Sequence, residues 1–199
     1  PLGHNIGNSL EVIEAVETLK GNGPKDLTEV CLQLAGNMLY LAEKGSIEEC
    51  RQMAEEAIRS GKALDRLIAM VEAQGGDADV IRDTDKFAKA PYQQEVLAEK
   101  DGYITHMNAE GCGIASSMLG AGRETKDSEI DYTAGIVLKK KTGDSVKVGD
   151  VLAVLYTSDE SLFNNAKEKY KQSVAIMEQP PKEEPLIYAR VTPNGVEKY

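Results

Sequence analysis

The chain has 199 residues, 41% of them hydrophobic, which is enough for one sizeable domain or two small ones. Its 23 basic residues stand against 33 acidic ones, and the net charge of -10 speaks against a nucleic-acid or anionic-membrane surface and for a small ligand. No apolar run approaches the roughly 18 residues a membrane span needs, and no basic flank precedes an apolar core at the N-terminus, so the cytoplasm is the expected compartment. Cys31, Cys50 and Cys112 are widely spaced with no CxxC pair and read as reduced, buried thiols. The chain opens on Pro1-Leu2-Gly3, without Met, and enters a helix almost at once, which points to a portion of a longer protein.

Asn8, with Glu11 three residues on and Leu10, Ile13 and Val16 beyond, has the pattern of a capping box opening a helix to about Lys20. Gly21 to Pro24 stop it. A second helix from about Asp26 places Leu27, Val30, Leu34, Met38 and Leu41 on one face, predicted to be buried, until Gly45. Ser46 and Glu49 form a second capping box, opening a third helix that breaks at Ser60-Gly61. Lys62 to Ala73 is the fourth, with Leu64, Leu67, Ile68 and Val71 on its apolar face and Gly75-Gly76 beyond. Residues 77–91 lack a clear period and read as a connector.

The character of the chain then changes. Tyr92 to Ala98 and Gly102 to Asn108 read as strands around an Asp-Gly turn signal, and Ile114 to Leu119 as a short helix of small residues. Thr133 to Leu138 and Val151 to Tyr156 are strands, separated by a segment with Gly143-Asp144 and Gly149-Asp150, where positive φ is expected. The three lysines Lys139 to Lys141 are expected to point into water. Ser158 to Met177 reads as a helix with Leu162, Phe163, Ala166, Tyr170 and Val174 at helical spacing, ended by Pro180-Pro181. Leu186 to Val191 is a last strand, with a tail from Pro193. The fold class is therefore α+β: a helical part over 1–90, then over 91–199 an α+β module with antiparallel, barrel-sandwich-like β-structure.

Catalytic patterns are scarce. His106 lies in a strand with no nucleophile or acid in a recognisable motif and reads as a hydrogen-bonded structural histidine. No GxSxG, HExxH or P-loop occurs. Asp127, Glu129 and Asp131 alternate as an exposed acidic edge would. The opening loop differs, because its carbonyls are not committed to a helix ladder and Glu11 and Glu14 lie beside them. Carbonyls with a carboxylate suit a hard cation, although both glutamates also favour a helix N-terminus through its dipole.

Two stretches, PLGHNIGNSLEVIEAVETLKG at 1–21 and LGAGRETKDSEIDYTAGIVLKKKTGDSVKVGD at 119–150, carry a family likeness, and AQGGD at 73–77 extends it. The chain resembles the C-terminal half of a bacterial pyrimidine-nucleoside phosphorylase of the thymidine phosphorylase family. The resemblance implies a parent enzyme, a homodimer, that carries out reversible phosphorolysis: phosphate displaces the base of a pyrimidine nucleoside and leaves a ribose or deoxyribose 1-phosphate. It also implies that residues 1–90 are part of a larger α/β domain. The family's SGRG and TGGT motifs on the phosphate side, and its Arg, Ser and Lys clamp on the base, belong to the N-terminal portion that precedes Pro1, so no catalytic or substrate-binding residue is expected here and the chain alone is expected to be inactive. What carries over is a potassium site, with main-chain oxygens at Leu2 and Asn5 and the carboxylate of Glu14 as ligands. A competing likeness is GIVLKKKTGDSVKVGDVLAVL, which is similar to biotinyl and lipoyl carrier domains, yet Lys139 to Lys141 lack the turn context of a modified lysine. A non-catalytic interaction module is the third reading.

Overall fold

The computed structural model describes residues 1–123, 126 and 129–199. A short strand β1 (Asn5–Gly7) leads into helix α1 (Asn8–Leu19). Gly7, not Asn8, is the N-cap: it takes a positive φ of 148° that favours glycine, and its N–H donates to Glu11 Oε1 at 2.9 Å. Asn8 is already helical, and its Nδ2 reaches across to the Ala121 carbonyl at 2.8 Å. The strand ahead of the helix moves the cap back by one residue, so only the Glu11 half of the expected box forms.

Helices α2 (Lys25–Leu41), α3 (Ile47–Arg59) and α4 (Lys62–Ala73) follow. Ser46 makes its capping box in full, accepting from the Glu49 N–H at 3.2 Å while Glu49 accepts from the Ser46 N–H at 2.8 Å. The face assigned to α2 is corrected. Its buried positions are Leu32 and Gly36, and Gly36 lets α3 approach at Arg51, whose guanidinium forks onto Glu29 at 3.0 and 2.7 Å. Leu34, Met38 and Leu41 are 61%, 71% and 79% exposed, because α2 meets α3 through this narrow notched stripe and no described element covers the other one. The connector holds α5 (Asp79–Arg82) and a 3-10 turn (Thr84–Lys86), with Ala78 and Ile81 buried.

Beyond it come β2 (Tyr92–Leu97), β3 (Gly102–Met107), α6 (Ala109–Ser116), β4 (Gly135–Leu138), β5 (Ser145–Val146), β6 (Val151–Thr157), α7 (Phe163–Gln172), β7 (Val174–Met177), β8 (Ala189–Thr192) and β9 (Gly195–Lys198). Every pairing is antiparallel, in sheets ordered β1-β4-β6-β2, β5-β3-β7 and β8-β9. The strands β2 and β3 are not a hairpin; the turn at Asp101-Gly102 passes the chain from the first sheet to the second. Among the described residues no sheet closes into a barrel, since β1 and β2 remain edges of the first one. Two further expectations change. The helix from Ser158 is a 3-10 turn (Glu160–Leu162) capped by Asp159, then α7, and it stops at Gln172, where the β-branched Val174 and Ile176 join β3 instead. The chain after Pro193 is no free tail but the second arm of a hairpin, β9.

The core lies between the two larger sheets and helices α6 and α7, with Val96, Ile104, Leu119, Ile136, Leu138, Leu155, Ala166 and Tyr170 fully or almost fully buried. The Tyr170 hydroxyl has no hydrogen-bond partner among the described residues, and burial, with Cys112 close by, pushes its pKa up. Cys50 and Cys112 are buried free thiols, burial raising the Cys112 pKa, while Cys31 is exposed, contrary to expectation.

Between β4 and β6 the chain makes the same turn twice. In Lys141-Thr142-Gly143-Asp144 the aspartate carboxylate accepts from the Lys141 N–H at 2.7 Å, and its own N–H donates back to the Lys141 carbonyl at 3.0 Å. Lys147-Val148-Gly149-Asp150 repeats both bonds at 3.0 and 2.9 Å, and the glycines take the expected positive φ of 98° and 89°. The lysines do not all face water. Lys139 is exposed, Lys140 donates to the Ser145 carbonyl at 3.1 Å, and Lys141 turns inward to the opening loop. A run of like charges packs here because the turn sends each side chain toward a different acceptor.

Candidate functional site

The opening loop sits where three parts of the molecule meet: the edge strand β1, the second turn of α1, and the turn after β4. Glu14 projects from α1 against the loop, and its carboxylate accepts from the N–H of His4 at 2.8 Å and of Asn5 at 3.4 Å. Gly3 is buried at φ +70°, a conformation costly for any other residue, and a Cβ on it would overlap Glu14 Oε2. The positive φ favours glycine here, and any Cβ would have to displace the Glu14 carboxylate from the loop.

The loop carbonyls divide into two groups. The Gly3 oxygen accepts from Lys141 Nζ at 2.8 Å, the His4 oxygen from the Leu138 N–H at 2.8 Å, and the Ile6 oxygen from Ser116 Oγ at 2.9 Å. Since His4 bonds to Leu138, the antiparallel alternation leaves Asn5, opposite Val137, at a non-bonded position, with its main chain turned away from β4. Among the described residues no donor is found for the carbonyl of Asn5 or for that of Leu2. The structure thus sets Glu14, on α1, against the loop that contains Leu2 and Asn5. Glu11 is excluded from this group, since its carboxylate caps Gly7 and is exposed.

Two charged residues complete the arrangement. Asp26, in the first turn of α2, accepts from the Gly3 N–H at 3.1 Å and forms an ion pair with Lys141. The pair is largely shielded, its side chains 21% (Lys141) and 27% (Asp26) exposed. Burial works to raise the Asp26 carboxyl, but the hydrogen bond and charge of Lys141, helped by the N–H groups of Leu27 and Gly3, outweigh it and hold the carboxyl below the usual carboxylate range. Sequence reasoning missed both residues. Lys141 is hidden in a charge run, and its partner is 115 positions away, so no local pattern joins them.

Elsewhere the chemistry is thin. His106 is exposed on β3, and among the described residues its ring makes no hydrogen bond of the structural kind expected; it lines a cleft of about 770 Å³ with Thr142, Gly143, residues 180–184 and Leu186, where Lys182, Glu183 and Glu184 are of mixed charge. Of the acidic alternation, Asp131 is half-buried and accepts from Thr133 and from the Ser158 N–H, so it organises a loop rather than forming an exposed edge; Asp127 lies outside the described residues. Among the described residues no cluster of three or more His, Cys, Asp or Glu side chains could hold a metal ion. No helix among them is long and apolar enough to cross a membrane.

Residues 103–177 match the family described as the pyrimidine nucleoside phosphorylase C-terminal domain. The chain is 45% identical over 193 residues to a pyrimidine-nucleoside phosphorylase of Geobacillus stearothermophilus, covering 96% of this chain and 44% of that protein. It is 48% identical over 163 residues to the enzyme of the same name from Staphylococcus epidermidis, covering 81% of this chain and 38% of that one. For a Staphylococcus aureus relative the identity is 45% over 177 residues, with shares of 88% and 41%. The chain thus spans less than half the length of these relatives.

Proposed function

Because the chain belongs to the pyrimidine-nucleoside phosphorylase family, matching the C-terminal portion of its members, we propose that it forms the C-terminal part of an enzyme for the reversible phosphorolysis of pyrimidine nucleosides. In that reaction a phosphate oxygen bonds to the anomeric carbon as the glycosidic C–N bond breaks, and the products are the free base and a ribose or deoxyribose 1-phosphate. The groups that would hold phosphate and base lie in the N-terminal portion, in a larger α/β domain of a homodimeric enzyme to which α1 to α4 contribute. The 199-residue chain alone is inactive in this reading.

The part assigned to this chain is a potassium site at the opening loop, formed by the main-chain oxygens of Leu2 and Asn5 and the carboxylate of Glu14. The observation that carries it is the division of the carbonyls: those of Gly3, His4 and Ile6 accept hydrogen bonds, and the two that the family likeness names have no donor among the described residues. Glu14 suits the role, since a carboxylate has about four lone-pair sites, two of which the His4 and Asn5 N–H groups take. A bound monovalent cation would supply charge that draws these oxygens together. Glu14 holds the loop against α1, and Gly3 permits the close approach.

Two measurements test this reading. The full-length protein should release uracil from uridine in the presence of phosphate, while the isolated chain should not. Potassium should raise the Tm of the full-length wild type more than that of the Glu14→Gln variant, at ionic strength held fixed with a bulky organic cation. Equal shifts in the two proteins would return Glu14 to the role of a carboxylate near a helix start.

A further inference from the structure

We propose that Lys141 and Asp26 are a positioning pair for the opening loop, holding Gly3 at its two ends so that the Leu2 and Asn5 carbonyls stay free for a monovalent cation; the inference rests on the cation reading above. The residues come from distant parts of the chain. Asp26 accepts from the Gly3 N–H at 3.1 Å and Lys141 Nζ donates to the Gly3 carbonyl at 2.8 Å, while the two side chains pair with each other. Both peptide groups flanking Gly3 are thereby fixed in direction, and the intervening φ of +70° turns the chain sharply between them. A loop clamped in this way presents the carbonyls on either side of it without paying for their ordering when a cation arrives, which is how preorganisation raises affinity.

Lys141 is itself held. Its N–H and carbonyl are both bonded to Asp144 in the first of the two Lys-x-Gly-Asp turns, so the ammonium issues from a rigid base. The second turn, at Lys147, is exposed and bonds instead to Ala98 and Asp101, which makes the inward course of Lys141 a property of its position and not of the turn.

Charge sets a signature that a purely structural role would lack. An ammonium next to a cation site repels the incoming cation, and Asp26 cancels that repulsion while it anchors Gly3. Removing Lys141 loses the clamp and the repulsion together, whereas removing the charge of Asp26 loses the clamp and leaves the ammonium unopposed. Asp26→Asn is therefore the more damaging change.

The test is a potassium titration of the full-length protein, read as Tm against potassium concentration at constant ionic strength with a bulky organic cation as replacement. Lys141→Met should weaken the apparent affinity about tenfold, Asp26→Asn about a hundredfold, and the double variant should recover to the level of Lys141→Met alone, with Lys141→Arg within about threefold of wild type. If Lys141→Met does not fold, Asp26→Asn against Asp26→Glu carries the same test, with affinity lost in the first and largely kept in the second. A Tm lowered equally with and without potassium in these variants overturns the proposal. So does a potassium response that is abolished by Glu14→Gln but unchanged in Lys141→Met and Asp26→Asn, an outcome that leaves the cation reading standing. A wild type that ignores potassium overturns the cation reading itself, and the positioning pair with it.

Discussion

The helices α1 to α4 and the β-rich part from β2 onward bury their apolar residues differently. In the β-rich part, Val96, Ile104, Leu119, Ile136, Leu138, Leu155 and Tyr170 are all but sealed from water, because two sheets and two helices enclose them. In the helical part, Val16 and Cys50 are the large side chains buried to the same degree, and α4 has no buried residue at all. A hydrophobic stripe at helical spacing gives the face that could be buried; whether it is buried depends on a second layer. The β-rich part supplies its own second layer, and the helical part is a single one.

Matched truncations break this comparison most directly. Leu155→Ala, in the enclosed core, should lower stability by about 3 kcal/mol, since it loses transfer free energy and leaves a cavity. Leu41→Ala, the same change on the open face of α2, should stay within about 0.5 kcal/mol. Both are read from urea midpoints of the 199-residue chain. A loss above about 2 kcal/mol for Leu41→Ala in a longer form of the protein would identify the second layer that α2 lacks here.

The junction between the two parts comes next in size. Gly135, in β4, faces Gly7 across the β1 pairing, and a Cβ on it would collide with the Ile6 carbonyl oxygen and press on Leu10. Because a backbone atom is struck, relief requires the strands to part. Gly135→Ala should cost about 2 kcal/mol and raise hydrogen exchange at Leu138, whose N–H bonds to His4, while leaving exchange in β2 and β6 near its wild-type rate.

Legibility in the sequence followed the range of the determining interaction. The Ser46 box, the span of α4 and the positive φ of Gly143 and Gly149 depend on residues within about a turn, and each is as the sequence implies. The end of α7 was hidden, because Val174 fits the helical spacing and only the waiting edge of β3 turns it into a strand. Pairing of β8 with β9 was likewise missed where Pro193 suggested a tail. At the candidate site, Leu2, Asn5 and Glu14 could be named from a family likeness and from one loop beside one helix. Lys141 and Asp26 could not, since charges that meet from opposite ends of a chain leave no spacing to read.

A local feature sharpens the contrast at a smaller scale. Ser46→Ala removes the acceptor for the Glu49 N–H and undoes the reciprocal cap of α3, so it should cost about 1 kcal/mol. Chemical denaturation of the purified variant checks it. An effect confined to the helical part would melt α3 against α2 first, and the far-UV signal would fall ahead of any tyrosine change reporting the buried Tyr170.

The smallest effect joins the two regions through charge. Asp26 in α2 pairs with Lys141 beyond β4, and its folded-state pKa lies below the ordinary carboxylate value of about 3.9. A carboxyl with a depressed pKa contributes stability above its unfolded value, and the contribution is lost as pH falls through the folded one. Wild type should therefore exceed Asp26→Asn in urea midpoint at pH 6, and the difference should shrink as pH falls below the ordinary carboxylate value and through the folded one. The difference at pH 6 should be below about 1 kcal/mol, because both side chains keep some contact with water that screens the pair. Asp131 provides the control within the β-rich part: its carboxyl is also held low, with burial raising it and the bonds from Thr133 and Ser158 prevailing, and among the described residues its hydrogen-bond partners all lie outside the helical part. Asp131→Asn should thus reproduce the acid loss without changing exchange at Gly3, whereas Asp26→Asn should speed exchange at Gly3, whose N–H it holds. Equal exchange at Gly3 in both variants would mean that the charge pair does not join the two regions.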